Sequence, residues 1–249
     1  MPKRVLTPLE VNHLKKHGFS DTDPGLGEKP VEYLTGQAEF CGLDFLVNES
    51  TLIPRLESEK IVRLAEQFIA IHDLTHPTIA DVGTGSGCLG LSLAVSLQSK
   101  QIPYTIYLSD ISSKALAVAK NNASGLLPST VNLFFEQSSL LDNFPKIKFD
   151  VLMANLPYIP SKNISTLDTS VKDFEPLIAL DGGPQGTSLI NQFIKTLPAF
   201  LSDLGLAIIE IDDTHTLKDF TIPKLFSAKI EPDLFRVPRF LVISPKLRK

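Results

Sequence analysis

The sequence predicts an α/β fold, a mostly parallel sheet with helices on both faces. Two observations carry this. From Thr78 onward, short apolar segments of strand length alternate with longer segments of helical periodicity, the pattern of successive βαβ units. A glycine run, Asp81-Val82-Gly83-Thr84-Gly85-Ser86-Gly87, falls between the first such strand and the helix after it.

The elements follow in chain order. Thr7-Pro8-Leu9-Glu10 reads as a helix start, with an N-cap, a proline at the first helical position and a capping-box glutamate. Leu9, Val11 and Leu14 supply a partial apolar face, and Gly18 ends the helix. Ser20 to Pro30 is rich in Gly, Pro and Asp and reads as a linker. Val31 to Arg55 reads as a hairpin, with Phe40, Leu43, Phe45 and Val47 at strand-like spacing. Leu56 to Leu74 is helical by its periodicity at Ile61, Leu64, Ala65, Phe68 and Ile69. Strands are expected at Ile79–Val82, Thr105–Leu108, Val131–Phe135, Phe149–Ala154 and Leu206–Ile211. Between them lie helices over Cys88–Leu97, Ser112–Asn122 and Thr187–Leu201, the last ended by Gly205. Ala228–Phe235 and Arg239–Ser244 close the sheet as an antiparallel pair. The chain thus divides into residues 1–30, a short helical segment and linker; 31–77, a hairpin and entry helix; and 78–249, the α/β domain.

Bulk properties narrow the function classes. The 249 residues suffice for a substantial core. A net charge of −4 argues against a protein whose main task is gripping nucleic-acid backbone, so no stable nucleic-acid binding is expected. The start Met1-Pro2-Lys3-Arg4 leads into polar sequence rather than a signal peptide, and no apolar run reaches membrane-span length. Cytoplasmic location without membrane contact is the expectation. Cys41 and Cys88 match no redox or metal spacing and read as buried small side chains. The five histidines are scattered without ligand spacing, so no metal is expected and surface or loop roles are assigned. Asp212-Asp213 reads as a helix cap.

Two motifs carry chemistry. The first is the glycine run, whose glycines let backbone pass close to a ligand. Asp110, at the end of the next strand, reaches the same crevice and can accept both hydroxyls of a ribose. A dinucleotide fingerprint would need a third glycine where Cys88 stands. The alternating glycines with a preceding acid instead resemble motif I of S-adenosylmethionine-dependent methyltransferases, where Asp81 and the loop backbone meet the cofactor's amino acid end. A tight βα turn without a ligand remains the plain alternative.

The second motif is Asn155-Leu156-Pro157-Tyr158, which closes the strand Phe149–Ala154. The Asn155 side-chain oxygen and the Leu156 carbonyl are two acceptors able to hold both hydrogens of one NH2 group. Pro157 stiffens the turn, and Tyr158 can cover the flat group that carries the nitrogen. The plain alternative is a proline turn in which Asn155 satisfies its own backbone. In a doubly wound sheet both motifs, with Ser139-Leu140, should line one crevice.

Several stretches together resemble the HemK-type peptide chain release factor N5-glutamine methyltransferases. They are Tyr33 to Gly36, Glu39 to Leu43, Leu52-Ile53-Pro54-Arg55-Leu56-Glu57-Ser58-Glu59, Asp81 to Gly87 and Asn155 to Pro160. Phe174 to Leu177, Leu180 to Gly183 and Gly186 complete the match, which runs from about residue 31 to the C-terminus. The resemblance implies a class I S-adenosylmethionine-dependent methyltransferase fold: Rossmann-like, with a seven-stranded mostly parallel sheet, an N-terminal helical segment and a β-hairpin. It implies S-adenosyl-L-methionine as cofactor, held by Gly83, Thr84, Gly85, Ser86, Gly87, Asp110, Leu140 and Asn155. It implies N5-methylation of the Gly-Gly-Gln glutamine of release factors, held by Asn155 to Tyr158. Three departures stand out. Leu156 replaces the usual second-position proline, Ser139 replaces a usual acid, and the N-terminal helical part is short. Asn-Leu-Pro-Tyr also occurs in rRNA adenine dimethyltransferases, which keeps an adenine amino group in RNA or DNA as a rival substrate. Further alternatives are a ribosomal-protein glutamine and a cofactor-binding module without turnover. Arg55 is a candidate partner for a carboxylate near the cofactor or substrate, and Glu57 and Glu59 for bracing the entry helix.

Overall fold

The structure is a computed structural model that describes residues 5–20 and 27–246. It begins with α1 (Pro8–Lys16), α2 (Val31–Thr35) and a hairpin of β1 (Gln37–Phe40) and β2 (Leu43–Leu46). After α3 (Glu59–Ile71) come β3 (Thr78–Val82), α4 (Cys88–Ser99), β4 (Thr105–Asp110), α5 (Ser113–Leu126), β5 (Asn132–Gln137) and β6 (Phe149–Ala154). The short α6 (Thr169–Lys172), α7 (Ser188–Phe200), β7 (Leu201–Glu210), β8 (Phe226–Pro232) and β9 (Pro238–Pro245) complete it. The seven large-sheet strands run β5-β4-β3-β6-β7-β9-β8. All pairings from β5 to β7 are parallel, and β9 is antiparallel to both neighbours. Strand order reverses between β3 and β6, which makes their shared carboxyl end the place for a ligand.

Alternation along the strands explains the two cores. Ile79 of β3 and Val151 and Met153 of β6 face one layer, with Ile61, Ala65 and Ile69 of α3. Ala80, Val82, Leu152 and Ala154 face the other, against Ile190, Phe193, Ile194 and Leu197 of α7. That i, i+3, i+4, i+7 stripe is what docks α7 on the sheet. Burying one such side chain contributes roughly 1.5–3 kcal/mol.

Most expected elements are present, with informative differences. The capping box at Thr7 and Glu10 forms, and Ser112 caps α5 by accepting from the Ala115 N–H at 3.2 Å. Of the apolar face on α1, only Leu14 is buried, and Leu9 is exposed. Charge completes the docking: Lys16 Nζ lies 3.0 Å from Glu39 and 2.6 Å from Asp44 of the hairpin. Residues 21–26 of the expected linker lie outside the described residues. The entry segment begins with helix α2, which Gly36 ends in the left-handed region at φ +73°. The predicted helix over 56–74 starts later, at Glu59, behind a 3₁₀ turn over Leu56–Ser58.

Gly205 does not end α7. The chain passes directly from Phe200 into β7, and Gly205 sits within that strand, where a Cβ would stand 2.9 Å from the Phe149 carbonyl oxygen. A glycine inside a strand here marks close backbone approach at a register shift. Asp212 caps a turn, accepting from the Thr214 N–H at 3.0 Å, and no helix begins there. His215 lies in the loop after β7, one of the two roles expected, and is buried there, its Nε2 3.0 Å from the Gln185 carbonyl oxygen. Cys41 and Cys88 are half-buried free thiols, and Cys88 lines the cavity described next.

Candidate active site

The glycine loop leaves β3 under tight backbone control. Pairing of Val82 with Ser109 sets β3 beside β4, and the Gly83 and Thr84 N–H groups donate to the Ser109 carbonyl at 2.9 and 2.8 Å. Gly83, Gly85 and Gly87 all have positive φ. A Cβ on Gly87 would stand 2.7 Å from Leu91, so this position also lets α4 start close to α5. A Cβ on Gly85 would meet open space.

Two acids serve this loop differently. Asp110 Oδ2 accepts the Gly85 N–H at 2.9 Å, and Oδ1 accepts the Ser112 N–H at 2.8 Å. Each oxygen keeps acceptor capacity. Burial raises the Asp110 carboxyl above its ordinary range, opposed by these N–H groups. Asp81 is fully buried beneath the loop. Its Oδ2 accepts Thr84 Oγ1–H at 2.6 Å and the Gly90 N–H at 2.9 Å, while Oδ1 has no partner. Burial pushes its carboxyl up to about 6. Asp81 therefore braces the loop and the start of α4, and it does not line the cavity.

Around the carboxyl ends of β3, β4 and β6 lies a cavity of about 430 Å³, within the usual range for small-molecule sites. Gly83 to Ser86, Asp110, Leu140 and Asn155 to Pro157 all line it. Gly87 and Tyr158 do not. Leu140 adopts φ +52°, and its carbonyl accepts from Ser109 Oγ at 3.2 Å. Residues 50–55 and several of residues 176–183 also line the cavity. Glu175 links the two stretches: it accepts the Ile53 N–H at 3.2 Å and pairs with the Arg55 guanidinium. The carboxylate that Arg55 meets is thus this chain's own.

The Asn155–Tyr158 turn begins where the ladder ends. Pairing of β3 with β6 stops at Val82–Ala154, so the next carbonyls lie beyond it. Asn155 Nδ2 donates to Ser58 Oγ at 3.3 Å. Leu156 is buried, with Cδ2 3.0 Å from where a Cβ on Gly83 would stand, and so locks the turn to the glycine loop. The Tyr158 hydroxyl donates to Glu210 Oε1 at 3.1 Å, and Ser58 Oγ donates to Glu210 Oε2 at 2.5 Å. Burial and the Glu210 charge push the Tyr158 phenol up, and burial raises the Glu210 carboxyl. The cavity is thus lined both by Asp110, whose carboxylate keeps acceptor capacity, and by Asn155 and Leu156, each with a carbonyl oxygen of a type that can accept an N–H. Among the described residues, no group of three or more His, Cys, Asp or Glu could hold a metal ion, and no helix is long and apolar enough to cross a membrane.

Comparison with known proteins supplies the family. The methyltransferase small domain family matches residues 63–171. The release factor glutamine methyltransferase of Bacillus subtilis is 34% identical over 81% of this chain and 70% of its own length. The chain belongs to the release factor glutamine methyltransferase family. The Geobacter sulfurreducens member is 35% identical over 74% of the chain, and the match spans 61% of that relative's length. A methyltransferase from Pyrococcus furiosus shares the fold alone, with a TM-score of 0.54 at 15% identity over 81% of this chain and 88% of that one. The fold is that of class I S-adenosylmethionine-dependent methyltransferases.

The sequence alone discloses no role for Ser58, Gly182 or Gly186, although each falls in a stretch that carries the resemblance. Glu210 carries a visible signal: an acid inside the apolar run Leu206 to Ile211, at the carboxyl end of a parallel strand.

Proposed function

We propose that this chain transfers a methyl group from S-adenosyl-L-methionine to the side-chain nitrogen of a protein glutamine, the Gly-Gly-Gln glutamine of peptide chain release factors, in the cytoplasm. The observation that carries the reading is the placement of Asn155 and Leu156 on the same cavity as the glycine loop and Asp110. The activity for which the family's members are named supports the choice of glutamine.

The cavity fits the cofactor. Its volume suits a nucleoside-bearing ligand, Gly85 opens toward space that a side chain would fill, and Asp110 retains acceptor capacity for ribose hydroxyls. Gly83 to Ser86 would hold the amino acid end through backbone, and Leu140 would contact the base. The bound cofactor supplies an electrophilic methyl group on a sulfonium.

The protein's own work is to make an amide nitrogen reactive. Asn155 Oδ1 and the Leu156 carbonyl accept the two N–H bonds of the glutamine amide and fix its plane. Two acceptors on those hydrogens favour the pyramidal, positively charged nitrogen as the new C–N bond forms, which is preorganised electrostatic stabilisation. The extra proton then passes to water, so no strong base is required. Pro157 limits the turn's freedom, and Gly182 and Gly186 let it lie flat against the 180–188 loop.

The test offers radiolabelled S-adenosyl-L-methionine with either release factor or RNA. Label is expected in the release factor. Label in RNA alone would assign the chain to adenine chemistry instead, and label in neither would refute transfer.

A further inference from the structure

We infer that Glu210, which does not line the cavity, fixes the direction in which Asn155 presents its amide, acting through the Ser58 hydroxyl as a positioning residue. The catalytic consequence rests on the methyl-transfer reading above; the hydrogen-bond polarity does not.

Three linked contacts carry the inference. Glu210 is 1% exposed, with Ser58 Oγ 2.5 Å from Oε2 and the Tyr158 hydroxyl 3.1 Å from Oε1. Ser58, itself buried, lies 3.3 Å from Asn155 Nδ2. An ionised carboxylate only accepts, so Ser58 and Tyr158 must both donate to it. A serine hydroxyl has one proton. With that proton on Glu210, Ser58 can only accept from Asn155, and the amide must turn its NH2 toward Ser58. The Asn155 Oδ1 is thereby held on the opposite side, free for a substrate N–H. A reversed amide would set oxygen against oxygen lone pair in a buried site.

Protonating Glu210 reverses the chain. A carboxylic acid must donate one hydrogen bond. If it donates to Ser58, the Ser58 proton turns toward Asn155, whose oxygen is then the matching partner. The acceptor is drawn back from the cavity. The groups facing Glu210 are Ser58 and its neighbour Glu57, Tyr158 after β6, and Arg239 on β9. Arg239 and the two hydroxyls favour the charged form, while burial and Glu57 oppose it. Burial is the largest of these influences, so reversal occurs at milder acidity than for a surface glutamate.

The experiment follows the Asn155 side-chain NH2 resonances of ¹⁵N-labelled protein as pH is lowered, alongside kcat for methyl transfer. In the wild-type protein the resonances should move in one step that coincides with the acid limb of kcat. Glu210→Gln should abolish the step and that limb. It should also lower kcat by about 10- to 100-fold, by analogy with losing a partner that orients a metal ligand. Affinity for S-adenosyl-L-methionine should stay unchanged. Ser58→Thr should preserve the step and Ser58→Ala remove it, which also decides the matter should Glu210→Gln not fold. A step that persists in Glu210→Gln or Ser58→Ala overturns the inference, as does a wild-type pH profile and kcat in Glu210→Gln. If the wild-type protein methylates no glutamine, the functional reading fails and the resonances alone decide the polarity.

Discussion

Asn155 is tethered on one side and open on the other, and its role is tested by removal. Asn155→Ala should lower turnover on the order of 10²–10³-fold, the cost of one preorganised hydrogen-bonding group. Asp81 makes a different prediction. Its folded carboxyl titrates at about 6 against an ordinary 3.8, because burial outweighs the Thr84 and Gly90 bonds. The native state therefore binds that proton more tightly, and the stabilisation is full below about 3.8 and lost as pH rises through about 6. The loss is on the order of 2–3 kcal/mol. In thermal melts at several pH values, the wild-type Tm should fall relative to Asp81→Asn between these limits; parallel curves would contradict the assignment. At this scale the sequence was most legible where a residue type has few uses. Asn155 and Asp110 reach the cavity because each ends a strand beside β3. Asp81 also ends near the loop, but its carboxylate faces the start of α4, and Tyr158 is turned by Glu210. One sequence position does not disclose which way a side chain at a strand end is pulled.

The 180–188 loop shows why some glycines matter and others do not. A Cβ on Gly186 would stand 2.0 Å from the Tyr158 carbonyl oxygen, at φ +74°. One on Gly182 would stand 2.7 Å from the Pro157 carbonyl oxygen. Gly186→Ala should cost at least about 2 kcal/mol by urea unfolding, from backbone strain plus displacement of the turn. Gly125, the penultimate residue of α5, is the control, because a methyl group added there would meet nothing within 4 Å. Gly125→Ala should be neutral or stabilise by up to about 0.5 kcal/mol, less than in a helix interior. Equal effects at the two sites would refute the steric argument. Periodicity located the helices and strands well because amphipathic stripes such as that of α7 are long. It failed at α2, which is too short to show a period, and at Gly205, where a helix stop and a strand bulge look alike in sequence.

For the whole molecule, two apolar layers on either face of one sheet hold the crevice rigid. Phe193 of α7 is fully buried in the layer beneath Leu156, and Phe193→Ala should cost about 3–5 kcal/mol in chemical unfolding. A loss below about 1 kcal/mol would mean the layer repacks freely. Alternating strands and helices made this architecture readable. What they left unread is long-range: Ser58, the Asn155–Tyr158 turn and Glu210 come from three separate stretches of the chain that only the folded sheet brings together. The central claim is that this assembly aims a glutamine amide at an activated methyl. Intact-mass and peptide mass spectrometry of release factor, after incubation with the protein and S-adenosyl-L-methionine, tests it most directly. A single methyl group on the Gly-Gly-Gln glutamine, absent with Asn155→Ala, is the predicted result; an unmodified glutamine, or equal methylation by that variant, would contradict it.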